Sequence, residues 1–244
     1  MYPPVEIRDR SEYKRSMNEL LRINPRRMVI LTVDMQNDYL DMNIGSAPVA
    51  PEEANRVISH ARKLLAFARA EGVPVIHAYV KRRPVEVGRG LVTNVFIEAS
   101  RQAQLSQNAQ AEARKGPDRI DGTAQAELPL ELVAPGDLHV TTKRVQDSFH
   151  GTELDMLIGR VFKAETVVLM GINTDTCVYA TTFGAAHRGY QPVVISDCVA
   201  SMRGLDHHWM ALELMSRSIA WVLTVDEFKA KVQTTKVLEP VAAA

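Results

Sequence analysis

The sequence predicts an α/β fold, a three-layer α-β-α sandwich with a six-stranded, mostly parallel, doubly wound sheet. Three observations lead there. Six short apolar runs occur at 28–33, 73–80, 137–142, 165–171, 191–196 and 219–223, with helical patterns between most of them. The runs are almost continuously apolar rather than alternating, as strands read when helices cover both faces of their sheet. Strands that alternate with helices pair in parallel, because each crossover carries the chain back over a face. At 244 residues the chain suits one large domain, and no internal repeat divides it.

Residues 1–26 are expected to form an N-terminal arm, with Tyr13, Met17, Leu20 and Leu21 on one helical face packed against the domain. Asn24-Pro25 ends that helix. The strand at 28–33 delivers Asp34, followed at once by Met35 to Leu40. A carboxylate at the end of an apolar strand is costly unless it is paired or put to use. A helix over 52–70 follows Pro51, stops at Gly72, and sets Val57, Leu64, Leu65 and Ala68 on one face. The second strand, 73–80, is halted by Lys81-Arg82-Arg83-Pro84. Residues 84–136 are the least regular stretch, an insertion or lid, with turn signals at Gly116-Pro117-Asp118 and Asp121-Gly122-Thr123. A connection of that length covers a site or builds an interface.

The strand at 137–142 ends at Lys143, and Thr152 suits the N-cap of a helix over 153–162. The strand at 165–171 runs into Ile172-Asn173-Thr174-Asp175-Thr176, a polar turn, and then Cys177 in the first turn of a helix reaching Arg188. The strand at 191–196 ends at Asp197. A helix over 206–217 precedes the last strand, and His207 and His208 are read as its cap. Thr224 and Glu227 have capping-box spacing and open a final helix to Val232. The domain is thus expected over 27–232, with a frayed tail at 233–244.

Composition narrows the class of partner. Lys and Arg number 29 and so do Asp and Glu, with 46% apolar residues. A neutral balance argues against nucleic acid or an anionic membrane. No apolar run approaches the roughly 20 residues that span a bilayer. The first residues lack the pattern of a secretion signal. Cys177 and Cys198 could make at most one disulfide, and Cys198, without a partner motif, is read as structural. The expectation is a cytoplasmic protein.

Three strands end in reactive side chains: Asp34, Lys143 and Cys177. A parallel sheet lines up its C-terminal ends along one edge, where open α/β sheets bind ligands. Singly, each has a plain explanation: Asp34 as a helix cap, Lys143 as a solvated cation, Cys177 as core. Jointly, they suggest one crevice. The helix N-terminus favours a thiolate, so Cys177 is expected to be reactive at neutral pH.

The segments around these residues resemble the motifs of the isochorismatase-like cysteine hydrolase superfamily, whose branches include nicotinamidases and N-carbamoylsarcosine, biuret and ureidoacrylate amidohydrolases. Val33-Asp34-Met35-Gln36-Asn37-Asp38-Tyr39 resembles its aspartate motif, with Tyr39 where Phe is commoner. Thr142-Lys143 through Ser148-Phe149-His150-Gly151-Thr152-Glu153-Leu154 resembles the lysine motif, and Gly171-Ile172-Asn173-Thr174-Asp175-Thr176-Cys177-Val178 the nucleophile motif. The likeness covers roughly 27–230 and fails in the arm and the middle segment.

The resemblance implies Cys177 as nucleophile, Asp34 as the acid and base, and Lys143 holding both and lowering the thiol pKa. It implies a cis Ile172-Asn173 peptide and an oxyanion hole from the N–H groups of Asn173 and Cys177. The reaction would be hydrolysis of a C–N bond in a small amide or carbamoyl compound through a thioester-type intermediate, without a cofactor, in a homodimer or homotetramer. Ester or vinyl ether hydrolysis is the alternative, and a non-catalytic binding module the third reading. Members that hydrolyse isochorismate lack the cysteine. Nicotinamidases carry a metal-binding Asp-x-His, whereas this chain reads His77-Ala78-Tyr79-Val80-Lys81, so no metal is expected. Tyr39, His77, Phe149 and His150 are the candidates for substrate contact, and Arg82 and Arg83 could grip a carboxylate.

Overall fold

Six strands make the sheet: β1 (Met28–Val33), β2 (Val75–Ala78), β3 (Leu138–Val140), β4 (Thr166–Ile172), β5 (Gln191–Ala200) and β6 (Trp221–Leu223). They belong to a computed structural model that describes residues 7–46, 48–88, 95–96, 99 and 119–238. The spatial order is β3-β2-β1-β4-β5-β6, and every pairing is parallel. The chain lays β1 to β3 outward in one direction, then returns to the far side of β1 for β4 to β6. A sheet wound this way opens its crevice where the direction reverses, outside the carboxyl ends of β1 and β4.

Helices α1 (Ser11–Leu20), α2 (Asn37–Leu40), α3 (Pro51–Ala70), α4 (Pro84–Gly88), α5 (Tyr179–His187), α6 (Leu205–Ser218) and α7 (Val225–Leu238) surround the sheet. Strand parity sends Ile30, Val168 and Met170 to one face, where Val57, Ala61, Leu64 and Leu65 of α3 and Phe228 of α7 cover them. Val29, Leu31, Val33, Val167 and Leu169 face the other way, onto Ala185 of α5 and Leu212 and Met215 of α6. Both faces are dry, which is why the strands read as unbroken apolar runs.

Several elements depart from the sequence-based expectation. β2, β3 and β6 are shorter than their apolar runs. β5 is longer, because it passes from Val194 to Val199 while β4 passes only from Leu169 to Gly171, a bulge centred on Ser196, Asp197 and Cys198. The stretch expected as a helix over 153–162 instead winds wide over Met156–Val161, with Phe162 N–H reaching back five residues to Leu157 O. Thr152 Oγ1 does accept the Leu154 N–H ahead of it.

The arm helix α1 buries none of its residues; Tyr13 and Leu20 are exposed, and it is Leu21 and Ile23, past its end, that enter the core. Polar contacts hold α1 instead, an ion pair of Lys14 with Glu213 and the Trp221 indole N–H on Met17 O. Thr224 and Glu227 form the reciprocal capping box. The helix it opens runs past Val232 to Leu238, so the tail expected at 233–244 is helical in its first half. In the irregular 84–136 segment, α4 and short 3₁₀ turns at Ala124–Ala126 and Leu130–Leu132 are described, while the turn expected at 116–118 lies outside the described residues.

Two details of the sheet carry consequences. Gly171 has φ +144, and a Cβ there would stand 2.0 Å from the Val33 carbonyl oxygen. Backbone meets backbone at this point, so nothing flexible can move aside. His77 on β2 is fully buried: Nδ1 lies 2.8 Å from Thr32 Oγ1 and Nε2 lies 3.1 Å from Asp137 Oδ2. A carboxylate only accepts, so Nε2 carries the proton and Thr32 donates to Nδ1. Burial pushes this imidazole down to about 4, against the pull of Asp137. The expectation that His77 touches substrate is therefore corrected, since both ring nitrogens are used inside the fold.

Gly171→Ala is expected to cost about 3 kcal/mol or more in urea denaturation, or to prevent folding. The His77 imidazole binds its proton more weakly folded than unfolded, so its contribution is complete above its unfolded pKa of about 6.5 and is lost as pH falls toward 4. That contribution amounts to about 3 kcal/mol across the window. His77→Gln should flatten the stability-versus-pH slope between pH 6.5 and 4; an unchanged slope would count against this assignment.

Candidate active site

Asp34 follows β1 directly, tied to the sheet by its N–H on Ala78 O (2.9 Å), and turns out of the strand with φ +49. Lys143 comes from the far side of β2, beyond the end of β3, where Thr142 bridges Val80. Cys177 lies in a wide π-type turn, Thr174–Val178, in which Val178 N–H reaches Asn173 O at 3.0 Å. The Ile172-Asn173 peptide ahead of that turn is cis. The structure brings the three side chains together. Lys143 Nζ donates to Asp34 Oδ2 at 2.6 Å and lies 3.5 Å from Cys177 Sγ. Asp34 and Lys143 are both buried to within 1% exposure, whereas Cys177 keeps partial access to solvent. Asp34 Oδ1 is buried with no hydrogen-bond partner among the described residues.

The electrostatics correct one expectation. Lys143 and the helix N-terminus were expected to lower the thiol pKa. Burial and then the negative charge of Asp34 outweigh Lys143 and Arg119, and the thiol is pushed up to about 11. At neutral pH the resting site holds a protonated thiol beside the Lys143–Asp34 pair. The Lys143 ammonium itself is held above its usual range: burial alone would lower it, but Asp34 and then the cysteine outweigh that cost.

Of the residues expected to meet substrate, Tyr39 stands at the site. Its buried phenol is pushed up to about 12, by burial first, with the Arg119 charge opposing and the Asp34 charge adding, so it stays protonated. Arg119 donates to the Tyr39 hydroxyl and places its guanidinium 5.3 Å from the ring centroid. It also faces Asp38 Oδ2 at 3.6 Å. Sequence reasoning missed Arg119, which comes from the irregular segment. The one sign of it was the length of that connection. Gln36 ties the aspartate loop to the chain after β2 and to the same segment, donating to Val80 O and Ala126 O at 2.8 Å each.

Phe149 and His150 lie in the segment that follows Lys143. Phe149 is buried against Tyr190, with rings stacked at 6.0 Å and the Arg188 guanidinium 4.6 Å from its ring, beside the C-terminal end of α5. His150 is exposed. Ser148 N–H on Thr181 Oγ1 docks this segment on the flank of α5, which fixes both positions. Arg83 is exposed and bound to Glu86, while Arg82 is largely buried with its N–H on Arg119 O. His208, read as a helix cap, is buried on Thr174. Cys198 is buried, as a structural cysteine would be. Among the described residues no three His, Cys, Asp or Glu side chains are grouped as a metal ion requires, and no helix is long and apolar enough to cross a membrane.

A doubly wound parallel sheet with aspartate, lysine and cysteine gathered at its reversal point defines a class of small α/β hydrolases. The isochorismatase domain model matches residues 28–227, and the chain belongs to the isochorismatase family of hydrolases. It is 27% identical over 206 residues to a probable isochorismatase of Pseudomonas chlororaphis, covering 84% of this chain and 86% of that one. It is 29% identical over 219 residues to the ureidoacrylate amidohydrolase RutB of Pseudomonas syringae pv. syringae, covering 86% and 85%. The crystal structure of a cysteine hydrolase from Pseudomonas syringae pv. phaseolicola has the same fold, with TM-score 0.70, 24% identity, and coverage of 88% of this chain and 96% of that one.

Since Asp34 raises the thiol pKa, Asp34→Asn should lower it by more than about one unit, leaving the thiolate as the counter-ion of Lys143. Thiolate absorbance at 240 nm against pH reads this directly. A thiol pKa that stayed put or rose would show that the carboxylate does not govern the sulfur.

Proposed function

We propose that this protein is a cysteine amidohydrolase that cleaves a C–N bond in a small amide or carbamoyl compound and releases ammonia or an amine. The observation that carries this reading is the arrangement of one ammonium 2.6 Å from a carboxylate and 3.5 Å from a thiol. The neutral thiol transfers its proton to Asp34 as Sγ attacks the carbonyl carbon, which suits a sulfur whose pKa is too high for a standing thiolate. Lys143 stays charged throughout and faces the negative charge on either atom. The N–H groups of Asn173 and Cys177 take the developing oxyanion. Asp34 then hands its proton to the leaving nitrogen, and a thioester (or thiocarbamate) remains on Cys177. In the second half Asp34 takes a proton from water, the hydroxide attacks the thioester, the acid departs, and Asp34 returns the proton to the expelled sulfur to regenerate the thiol. Tyr39 and Arg119 form the polar wall on the side of Asp34.

Two relatives of similar identity carry different names, one a probable isochorismatase and the other an amidohydrolase. The thiol favours the second. Protonation and hydration of a vinyl ether need a carboxyl group but no nucleophilic sulfur, whereas acyl transfer uses all three groups.

Ammonia release from a panel of small amides, ureido acids and carbamoyl amines should reveal a substrate. On it, Cys177→Ser is expected to lower kcat by about a thousandfold or more. Acid-quenched wild-type enzyme should carry the acyl group on the Cys177 peptide in mass spectrometry. Undiminished turnover by Cys177→Ala would sink the mechanism, and vinyl ether cleavage by that variant would favour the other chemistry.

A further inference from the structure

The turn that carries Cys177 is fastened to one other segment by three consecutive side chains. Asn173 Oδ1 accepts the Met202 N–H at 2.8 Å. Thr174 Oγ1 lies 2.9 Å from His208 Nδ1. Asp175 accepts from Ser201 Oγ at 2.7 Å on Oδ1 and from Arg203 Nη1 at 3.0 Å on Oδ2. Asn173, Thr174 and His208 are all buried, so the first two contacts are shielded from water. The end of β5 that leads into residues 201–208 is itself anchored. Arg56 of α3 donates to Ser196 O and Val199 O across the β5 bulge and is paired with Glu53. A continuous chain of contacts therefore runs from α3 through the bulge to residues 201–208 and back to the cysteine.

We infer that His208 is a positioning residue for the nucleophile, holding the Cys177 turn in register with Asp34 and Lys143 through its hydrogen bond to Thr174. This rests on the reading of Cys177 as nucleophile. The turn needs such a hold because it is wound wider than an α-helix at the residues that set the sulfur's place. Its sulfur must also stay within reach of a carboxylate on a different strand, and displacement of about 1 Å is enough to cost a hundredfold in rate. His207, at the same end of α6, pairs with its own neighbour Asp206. His208 instead spends Nδ1 on the residue three before the cysteine. Its ring is kept in place by Trp209, edge-on at 4.8 Å.

The test compares Thr174→Val and His208→Leu, which remove the hydrogen bond with little change of shape, with Thr174→Ser and His208→Asn, which keep a polar partner. The double variant Thr174→Val/His208→Leu completes a cycle. Alkylation of Cys177 by iodoacetamide is one readout and needs no substrate; kcat and KM on the best amide of the panel are the other. The first pair should each slow alkylation and kcat by about tenfold, with KM within about threefold, and the double variant should be no slower than either single one. The conservative pair should recover to within about threefold. Unchanged alkylation and kcat with only a lower Tm, or losses that multiply in the double variant, would overturn the assignment. Should His208→Leu fail to fold, Thr174→Val carries the comparison alone. If wild-type enzyme hydrolyses no amide, the proposed function fails while the alkylation series still decides the role of His208.

Discussion

The structure depends above all on the buried ion pair between Lys143 and Asp34. Each charge compensates the other in this interior, and removing one partner of a buried pair costs about 3–5 kcal/mol. The two residues come from strands on opposite sides of β2, so the pair ties the ends of β1 and β3 together across it. The pair also explains the thiol. With one positive and one negative charge already balanced, ionising the sulfur would add an unmatched charge in a low dielectric. Moving the proton from sulfur to Asp34 adds none; it only shifts the negative charge between two neighbours of the same ammonium. A high thiol pKa and a competent nucleophile are thus compatible.

The scaffold around the pair serves that geometry. The reversal of strand order between β1 and β4 opens the crevice, and Gly171 lets β4 pass against Val33 immediately before Asp34 leaves the sheet. On the far side, the β5 bulge and the segment 201–208 hold the cysteine turn in place. Arg119 donates to the Tyr39 hydroxyl, and Gln36 and Asn37 pin the aspartate loop to Ala126 and Glu127. The irregular segment is therefore fastened to the loop that follows Asp34.

Much of the plan was legible from residue order. Continuous apolar runs gave the strands, because a strand covered on both faces has no solvent side to mark. The Thr224–Glu227 capping box was legible because both halves lie within one helical turn. Asp34, Lys143 and Cys177 could be singled out because each directly follows an apolar run, and parallel pairing alone is enough to place such residues on one edge. The resemblance of the surrounding motifs added their roles.

Other features were decided by tertiary structure. His77 reads like a site residue, but a partner 60 positions away, Asp137, and the Thr32 hydroxyl claim both of its nitrogens. Phe149 and His150 follow the lysine motif closely, yet docking on α5 sends one into the core and the other to the surface. Arg119 and His208 belong to no local pattern, since their meaning lies in contacts with Tyr39 and Thr174 that arise only when distant segments meet. Most telling is the thiol, whose pKa was expected to fall. By itself the sequence determined which groups gather at the sheet edge, because strand ends are a local property. How deeply they are buried, and whether Asp34 or Lys143 prevails at the sulfur, depends on distances across three strands that only the folded chain sets.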